Sequence, residues 1–384
     1  MTQPCSEIDL SVPQQKEEWT VKVFRKIEEI PARDWNQVFP RVLEGYDFFR
    51  ALDQSGFKEF TFYYILVYQD QALAAATTCF LMSYPLDTTV RGLFKTMAAL
   101  IKKFLPEILN LKALICGMPL GPGQIGMVGN PEKVLAAILG CMEEIARKEK
   151  VPILAFKDFG LSYTGELDPL QSQGFYKFLS LPNTEMNIHF KDFEDYLGTL
   201  SKATRYDLRR KFKKVDGQIK IDLEIRTELN RSIEEEVFGL FQQTASRGEI
   251  QFEKTPREFF GVISRTMGVQ VRYFLWRIDQ KLVAFTLCLV SHDRLIDYYL
   301  GLDYPLAHQY HLYFVRFRDL LSWCIEHKIK KYEMGSTCYE PKKRLDFKLI
   351  PLYVYAKHRN PYWNPFFKLL CRLLKPENFD ETLP

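Results

Sequence analysis

The sequence predicts an α/β protein of two similar units in tandem, each a mixed, mostly antiparallel sheet flanked by helices. Three observations predict it. The chain has 384 residues, more than one hydrophobic core normally supports. The order strand, two helices, antiparallel strands, helix, strand, helix, strand is partly repeated in the second half. Finally, residues 64–79, YILVYQDQALAAATTC, align without a gap on residues 273–288, YFLWRIDQKLVAFTLC. At one constant offset Asp70 falls on Asp279, Gln71 on Gln280, Thr77 on Thr286 and Cys79 on Cys288.

The divisions that follow are a flexible tail over 1–19, a first unit over 20–180, a second unit over 181–360 that carries the reactive centre, and an amphipathic segment over 361–384. In the first unit, Val21–Ile27 alternates as a strand. Helices follow around Trp35 and over Phe48–Gln54, with Gly56 placed to end the second in a left-handed cap. Tyr63–Tyr68 and Leu73–Leu81 form a hairpin turning at Gln69–Gln71, and Arg91–Leu105 reads as an amphipathic helix. Ala113–Cys116 is a short buried strand and Gly117–Asn130 a glycine-rich loop. Asn130 caps a helix that opens on Pro131 and runs to about Lys150, and Ile153–Phe156 is the next strand.

The second unit reads the same way. Met186–Phe190 is a strand, followed by helices at Asp192–Leu200 and Lys202–Val215. Ile219–Ile225 is a strand, and Arg231–Thr244 and Arg257–Met267 are helices. Val271–Ile278, Leu282–Val290 and Leu295–Leu302 are consecutive strands. Leu312–His327 is a helix, and Lys331–Met334 and Leu349–Ala356 are the last strands.

Composition excludes several functions. A net charge of +4 is too small for a dedicated nucleic-acid binder, which excludes a DNA partner, yet it leaves room for a local basic patch. The eight cysteines form no CxxC pair, and several sit in apolar runs, as buried thiols of a reducing compartment do. No metal-ligand set is evident. The first 19 residues are polar and unlike a signal peptide, and no stretch reaches the ~20 apolar residues of a membrane span. A cytoplasmic location follows, with a peripheral position at the inner face of the membrane as its variant.

Four pieces of the second half carry a family resemblance: SKATRYDLRRKFKK at 201–214, YYLGLD at 298–303, HLYFVRF at 311–317 and KYEMGSTCYEPKKRLDFKLIPLYVY at 331–355. In this order they resemble the Fem-type peptidyltransferases and Fem-like acyltransferases of the GNAT superfamily. The resemblance implies two tandem GNAT-like domains, the second with two neighbouring strands splayed to receive an acyl donor. It implies transfer of an acyl group to an amine, with acyl-CoA or aminoacyl-tRNA as co-substrate and no tightly bound cofactor. The acceptor would be a small-molecule or lipid-linked amine. Ala307-His308-Gln309-Tyr310-His311 lacks the glycines usual in a CoA pyrophosphate loop, which keeps aminoacyl-tRNA beside acyl-CoA as a donor.

The candidate residues follow. Lys342 matches the lysine after the penultimate strand in Fem-like sequences, and an ammonium there would stabilise an oxyanion; Lys343 is its neighbour in register. Tyr339 lies on the same approach. Asp297 is placed to take a proton from the acceptor amine. Alternation puts Asp297 and Tyr299 on one face of their strand and Tyr298 on the other. Arg205 and Arg209, four apart on the basic helix, would hold an anionic part of a substrate. His308 and His311 flank a helix start where a donor phosphate would lie. The loop Gly121–Gly129 ends at another helix N-terminus, receptive to phosphate in the same way. The plain alternatives are a solvated basic helix, an exposed lysine cluster, core aromatics beside a rim aspartate and a connector loop; for the whole chain the alternatives are an aminoacyl-tRNA-dependent peptidyltransferase acting on a cell-wall precursor and a catalytically silent tandem GNAT scaffold. Residues 364–374 form an amphipathic helix that would either pack on the second domain or lie in a membrane interface.

Overall fold

The structure, a computed structural model, describes residues 18–85, 110–247, 254–336 and 338–373. The helix expected over Arg91–Leu105, most of the N-terminal tail and the end of the C-terminal segment lie outside the described residues.

The first half begins with β1 (Trp19–Phe24), α1 (Ala32–Val38) and α2 (Tyr46–Gln54), which ends at Gly56 with φ +73°. The hairpin β2 (Thr61–Gln69) and β3 (Ala72–Pro85) follows. Then come β4 (Asn110–Cys116), β5 (Ile125–Met127), α3 (Pro131–Lys148), β6 (Ile153–Gly160), a one-turn α4 (Thr164–Leu167) and β7 (Tyr176–Leu179). The Asn130 side chain accepts from the Lys133 amide, so the cap and Pro131 start α3 as their chemistry requires.

The second half runs β8 (Asn183–Asn187), α5 (Phe193–Thr199), α6 (Lys202–Asp216), β9 (Asp222–Arg226), α7 (Arg231–Ala245) and α8 (Glu258–Met267). Next are β10 (Val271–Ile278), β11 (Lys281–Val290), β12 (Arg294–Leu302), α9 (Tyr304–Gln309) and α10 (Leu312–Glu326). β13 (Lys331–Glu333), α11 (Tyr339–Arg344), β14 (Lys348–Ile350), β15 (Leu352–His358) and α12 (Asn364–Leu373) complete it.

Two sheets result, with orders β1-β2-β3-β4-β6-β15-β7, where β5 also pairs with β3, and β14-β8-β13-β12-β11-β10-β9. Each has one parallel pair, β4 with β6 and β12 with β13; the other pairings are antiparallel. The halves exchange strands. β8 follows β7 in the chain but joins the second sheet, and β15 follows β14 but joins the first. A proline stands at each crossover, Pro182 and Pro351. The single strand expected over Leu349–Ala356 is therefore two strands in two sheets. Pro351 has no N–H to continue the ladder, and the chain changes sheet there.

The internal repeat survives in three dimensions. The hairpin turns use Asp70 and Gln71 at φ +49° and +68°, and Asp279 and Gln280 at φ +48° and +67°. Positive φ at both central residues is the turn geometry that matches the twist of the flanking strands. Each hairpin also breaks register at the same offset, between Val67 and Tyr68 and between Trp276 and Arg277.

Burial is organised in three cores. The central one is aromatic and joins the halves, packing Trp35, Phe48, Phe57 and Phe80 with Phe241, Phe259, Phe260 and Phe285. The outer cores lie under α3 in the first half and under α5, α6 and α10 in the second.

Candidate active site

β12 and β13 pair over only three residues, Arg294–Ile296 with Lys331–Glu333. β12 continues to Leu302, while β13 ends and turns away through Gly335 (φ +44°) and Cys338 (φ +52°) into α11. The parting strands leave a wedge whose contents are unusual for a core.

Arg316, from α10, is 0% exposed at its base. Its Nη1 donates to Asp297 Oδ2 and, at 3.1 Å, to Thr286 Oγ1. The Tyr332 hydroxyl donates to the same Asp297 oxygen at 3.1 Å. Burial works against the Arg316 charge, but Asp297 above all outweighs it and holds the guanidinium above its ordinary value. Its Nε and Nη2 make no well-formed hydrogen bond among the described residues, and neither does the buried Tyr313 hydroxyl, although the guanidinium lies over the Tyr313 ring at 5.3 Å and its charge acts on that hydroxyl. Buried donors of this kind are costly unless something completes them.

Lys342 enters from α11 and is 6% exposed. Its Nζ donates to Met334 O and, at 3.0 Å, to Gly335 O, the carbonyls where β13 turns away. Burial pushes this ammonium down to about 8, against a smaller upward pull from Asp297. Lys342, Asp297 and Arg316 thus share one electrostatic site, reached from three separate stretches of chain.

The other expected residues are placed as follows. Tyr339 is buried and donates to Pro182 O at 2.9 Å, anchoring the crossover strand. Strict alternation fails on β12. Leu287 stands opposite Tyr299 and Cys288 opposite Asp297, so Tyr298 is an extra, bulged residue. Asp297 faces α10, while both tyrosines, with rings 5.4 Å apart, face the central core. Tyr298 donates to Leu120 O at 3.0 Å, and Tyr299 accepts from Thr255 Oγ1 at 3.0 Å. His308 and Lys343 are exposed. His311 is half-buried in a left-handed conformation just before α10, and burial, then Lys211 and Lys214, hold its imidazole below the usual value.

Arg205 donates to Gly198 O at 3.0 Å and Arg209 to Glu194 at 2.5 Å, so both lie along α5. The α6 cations that approach His311 are Lys211, Lys214 and Arg210. Lys211 sits over the Phe314 ring at 4.7 Å, and Asp207 links α6 to Arg344 of α11.

Sequence reasoning missed Arg316 and Tyr313. Arg316 had a signal: it lies four residues from both Leu312 and Leu320, on the apolar stripe of its helix. A lone charge on a buried face needs a partner. It also missed the ion cluster where the strands begin to part. Arg294 donates to Glu333 through Nη2 at 2.9 Å and pairs with Glu44 of the first half at 3.5 Å. Burial, the largest influence, raises the Glu44 carboxyl.

The glycine-rich loop of the first half is not open. Gly117 N donates to Thr78 O, Gly123 N to Asp158 O, and Val128 N and Gly129 N to Ala74 O. A Cβ on Gly123 would lie 2.3 Å from Lys157 O, which explains glycine at that position. These amides are therefore committed within the sheet.

With this geometry in view, residues 26–358 match the FemAB-like family, described as peptidoglycan biosynthesis and recognition. The chain belongs to the FemAB-like family. Its fold agrees with that of FemX, at TM-score 0.57 and 12% identity over 91% of this chain and 99% of the other. It also agrees with a tandem GNAT protein from the clavulanic acid biosynthesis pathway, at TM-score 0.53 and 9% identity over 90% and 99%. At these identities the likeness shows the fold alone, that of tandem GNAT-like domains. A curated relative from Mycobacterium tuberculosis, a putative 8-amino-7-oxononanoate synthase 2, is 26% identical over 340 residues. That alignment covers 82% of this chain but 42% of the relative, so the chain spans less than half of that protein's length. No helix of the described residues is long and apolar enough to cross a membrane.

Proposed function

We propose that the wedge between β12 and β13 transfers an acyl group from acyl-CoA to an amine acceptor. The observation that carries this reading is Arg316, buried and charged, with two N–H groups unpartnered among the described residues, beside Asp297 and Lys342. Donors aimed at one point in a dry site stabilise the oxyanion that forms when a nucleophile attacks an acyl carbonyl. Lys342 adds a second positive group whose proton is held loosely near neutral pH. Asp297 fixes the guanidinium and, with Tyr332, its orientation. Holding donor and acceptor on either side of this point supplies the rest of the acceleration.

The donor's phosphates would meet the start of α10, where His311 has no side-chain cap and feels the positive charges of Lys211, Lys214 and Arg210, two of which, Lys211 and Arg210, are paired with Asp207. Arg205 and Arg209 extend the positive field of α6 behind this surface. The same cations favour a second reading, an aminoacyl-tRNA donor serving a cell-wall precursor. A lipid-linked acceptor would suit α12, whose Trp363, Phe366 and Leu369 are exposed beside Lys368 and Arg372.

The test is a thermal-shift screen of the purified protein with acetyl-CoA, longer acyl-CoAs and charged tRNA, followed by an amine-acylation assay with the donor that stabilises. A shift with an acyl-CoA and amide formation support the reading. A shift with charged tRNA alone moves the assignment to aminoacyl transfer, and no shift with either overturns both.

A further inference from the structure

α12 is held against the edge of the first sheet in one orientation. It lies on β15 and β7, and Asn364 pins its start: the side chain accepts from His358 N at 3.0 Å and donates to Gly174 O at 2.9 Å. Cys371 is buried and Phe367 half-buried, so these two mark the inner face. The opposite arc holds Pro365, Phe366, Leu369 and Arg372, with Lys368 at its margin. A surface helix normally turns its polar side outward. This one turns out Phe366 and Leu369, 59% and 52% exposed, and the row continues through Trp363 at 55% and Tyr362 at 91%. Single exposed apolar residues are ordinary, whereas a contiguous row of them is a contact surface.

The charge around this row selects what covers it. From Arg359 to Pro376 the chain carries Arg359, Lys368, Arg372 and Lys375 and no carboxylate. Arg359 is committed to Glu143 at 2.9 Å, but Arg372 lies over the Tyr176 ring at 5.5 Å, not on an acid. An anionic lipid leaflet complements every part of this surface. Its acyl region takes Phe366 and Leu369, its phosphates take the cations, and tryptophan and tyrosine favour the boundary between the two. We propose that the outward face of α12 docks the protein on an anionic lipid leaflet. Trp363, Phe366 and Leu369 enter the boundary between headgroups and acyl chains, and Lys368 and Arg372 extend past them to lipid phosphates. The helix lies in the plane of the surface and does not cross it. This docking is independent of which donor the wedge uses.

The test is flotation of the purified full chain with vesicles of phosphatidylcholine alone and of phosphatidylcholine with an equal part of phosphatidylglycerol. Binding to the mixed vesicles should exceed binding to the neutral ones by roughly tenfold or more and fall with added salt, since each basic side chain near an anionic leaflet contributes about fivefold. Phe366→Ser with Leu369→Ser should lose roughly tenfold or more in partition to the mixed vesicles. Its melting temperature should stay that of the wild type, because both side chains are exposed. Lys368→Gln with Arg372→Gln should lose about as much and flatten the salt dependence. Trp363 emission should shift to the blue on binding, and Trp363→Phe should remove that shift. Absence of binding to either vesicle overturns the proposal. Binding to the mixed vesicles that the Phe366 and Leu369 changes leave within about twofold also overturns it, and moves the membrane contact to the basic helix α6. A dimer in light scattering that the same changes dissociate, without vesicle binding, overturns it in favour of a contact between two copies of the chain.

Discussion

The two halves of this FemAB-like protein contain the same wedge and fill it in opposite ways. In the first, β4 and β6 pair from Ala113–Ile153 to Cys116–Phe156, and the glycine loop then closes the gap with backbone, Gly123 bridging to Phe159. In the second, the strands part after three pairs and the gap holds Arg316, Asp297 and Lys342. Thr77 and Thr286, equivalent in the repeat and both buried, report the difference. Thr77 donates to a loop carbonyl, Gln124 O, whereas Thr286 receives an Arg316 N–H. One copy has its amides satisfied by its own chain. The other keeps a buried charged group, Arg316, with N–H donors left unpaired among the described residues, an expense of stability that a site for chemistry would explain.

The largest effect should come from removing the charge that organises the second wedge. Arg316→Ala leaves Asp297 buried without its cation, and a broken buried pair costs roughly 3–5 kcal/mol. Denaturant unfolding should show that loss, and turnover should fall by at least about 100-fold. A cost under about 1 kcal/mol would mean the pair is solvated and the wedge open.

Lys342→Met separates chemistry from stability. Turnover should drop by about 100-fold while the fold is kept. The lysine's folded value is depressed to about 8 from 10.5. Its contribution is thus fully present above pH 10.5 and lost as pH falls through 8. Between pH 10.5 and pH 7 the wild type should lose about 3 kcal/mol relative to Lys342→Met. Parallel pH profiles for the two proteins would place the ammonium in water.

The sealed wedge makes the converse prediction. In Gly123→Ala the new Cβ meets Lys157 O, and such overpacking costs about 1–3 kcal/mol. The melting temperature should fall with turnover per folded molecule unchanged. The smallest effect belongs to Arg205→Ala, since its partner is the backbone carbonyl of exposed Gly198 on α5; unfolding free energy should move by about 1 kcal/mol or less.

Much of the fold was legible because its determinants are local. The Asp-Gln turns, the Asn130 cap and the alternating hairpins act within a few residues of themselves. The strand exchange was not, because a single proline, Pro351, marks a change of partner decided by two distant sheets. The bulge at Tyr298 was invisible for a similar reason: one extra residue reverses every later side chain, and periodicity cannot locate it. Around the wedge, Lys342 drew notice through family resemblance and Asp297 through its strand. Arg316 was hidden among HLYFVRF, where the helical period itself should have exposed a charge on the buried face.

The contrast between the wedges is tested most directly by measuring donor affinity, with whichever acyl-CoA stabilises the protein, for Arg316→Met and Thr77→Val side by side. The account predicts at least a tenfold loss for Arg316→Met and an unchanged constant for Thr77→Val. Weakened binding by Thr77→Val with Arg316→Met unaffected would place the donor in the first half and contradict it.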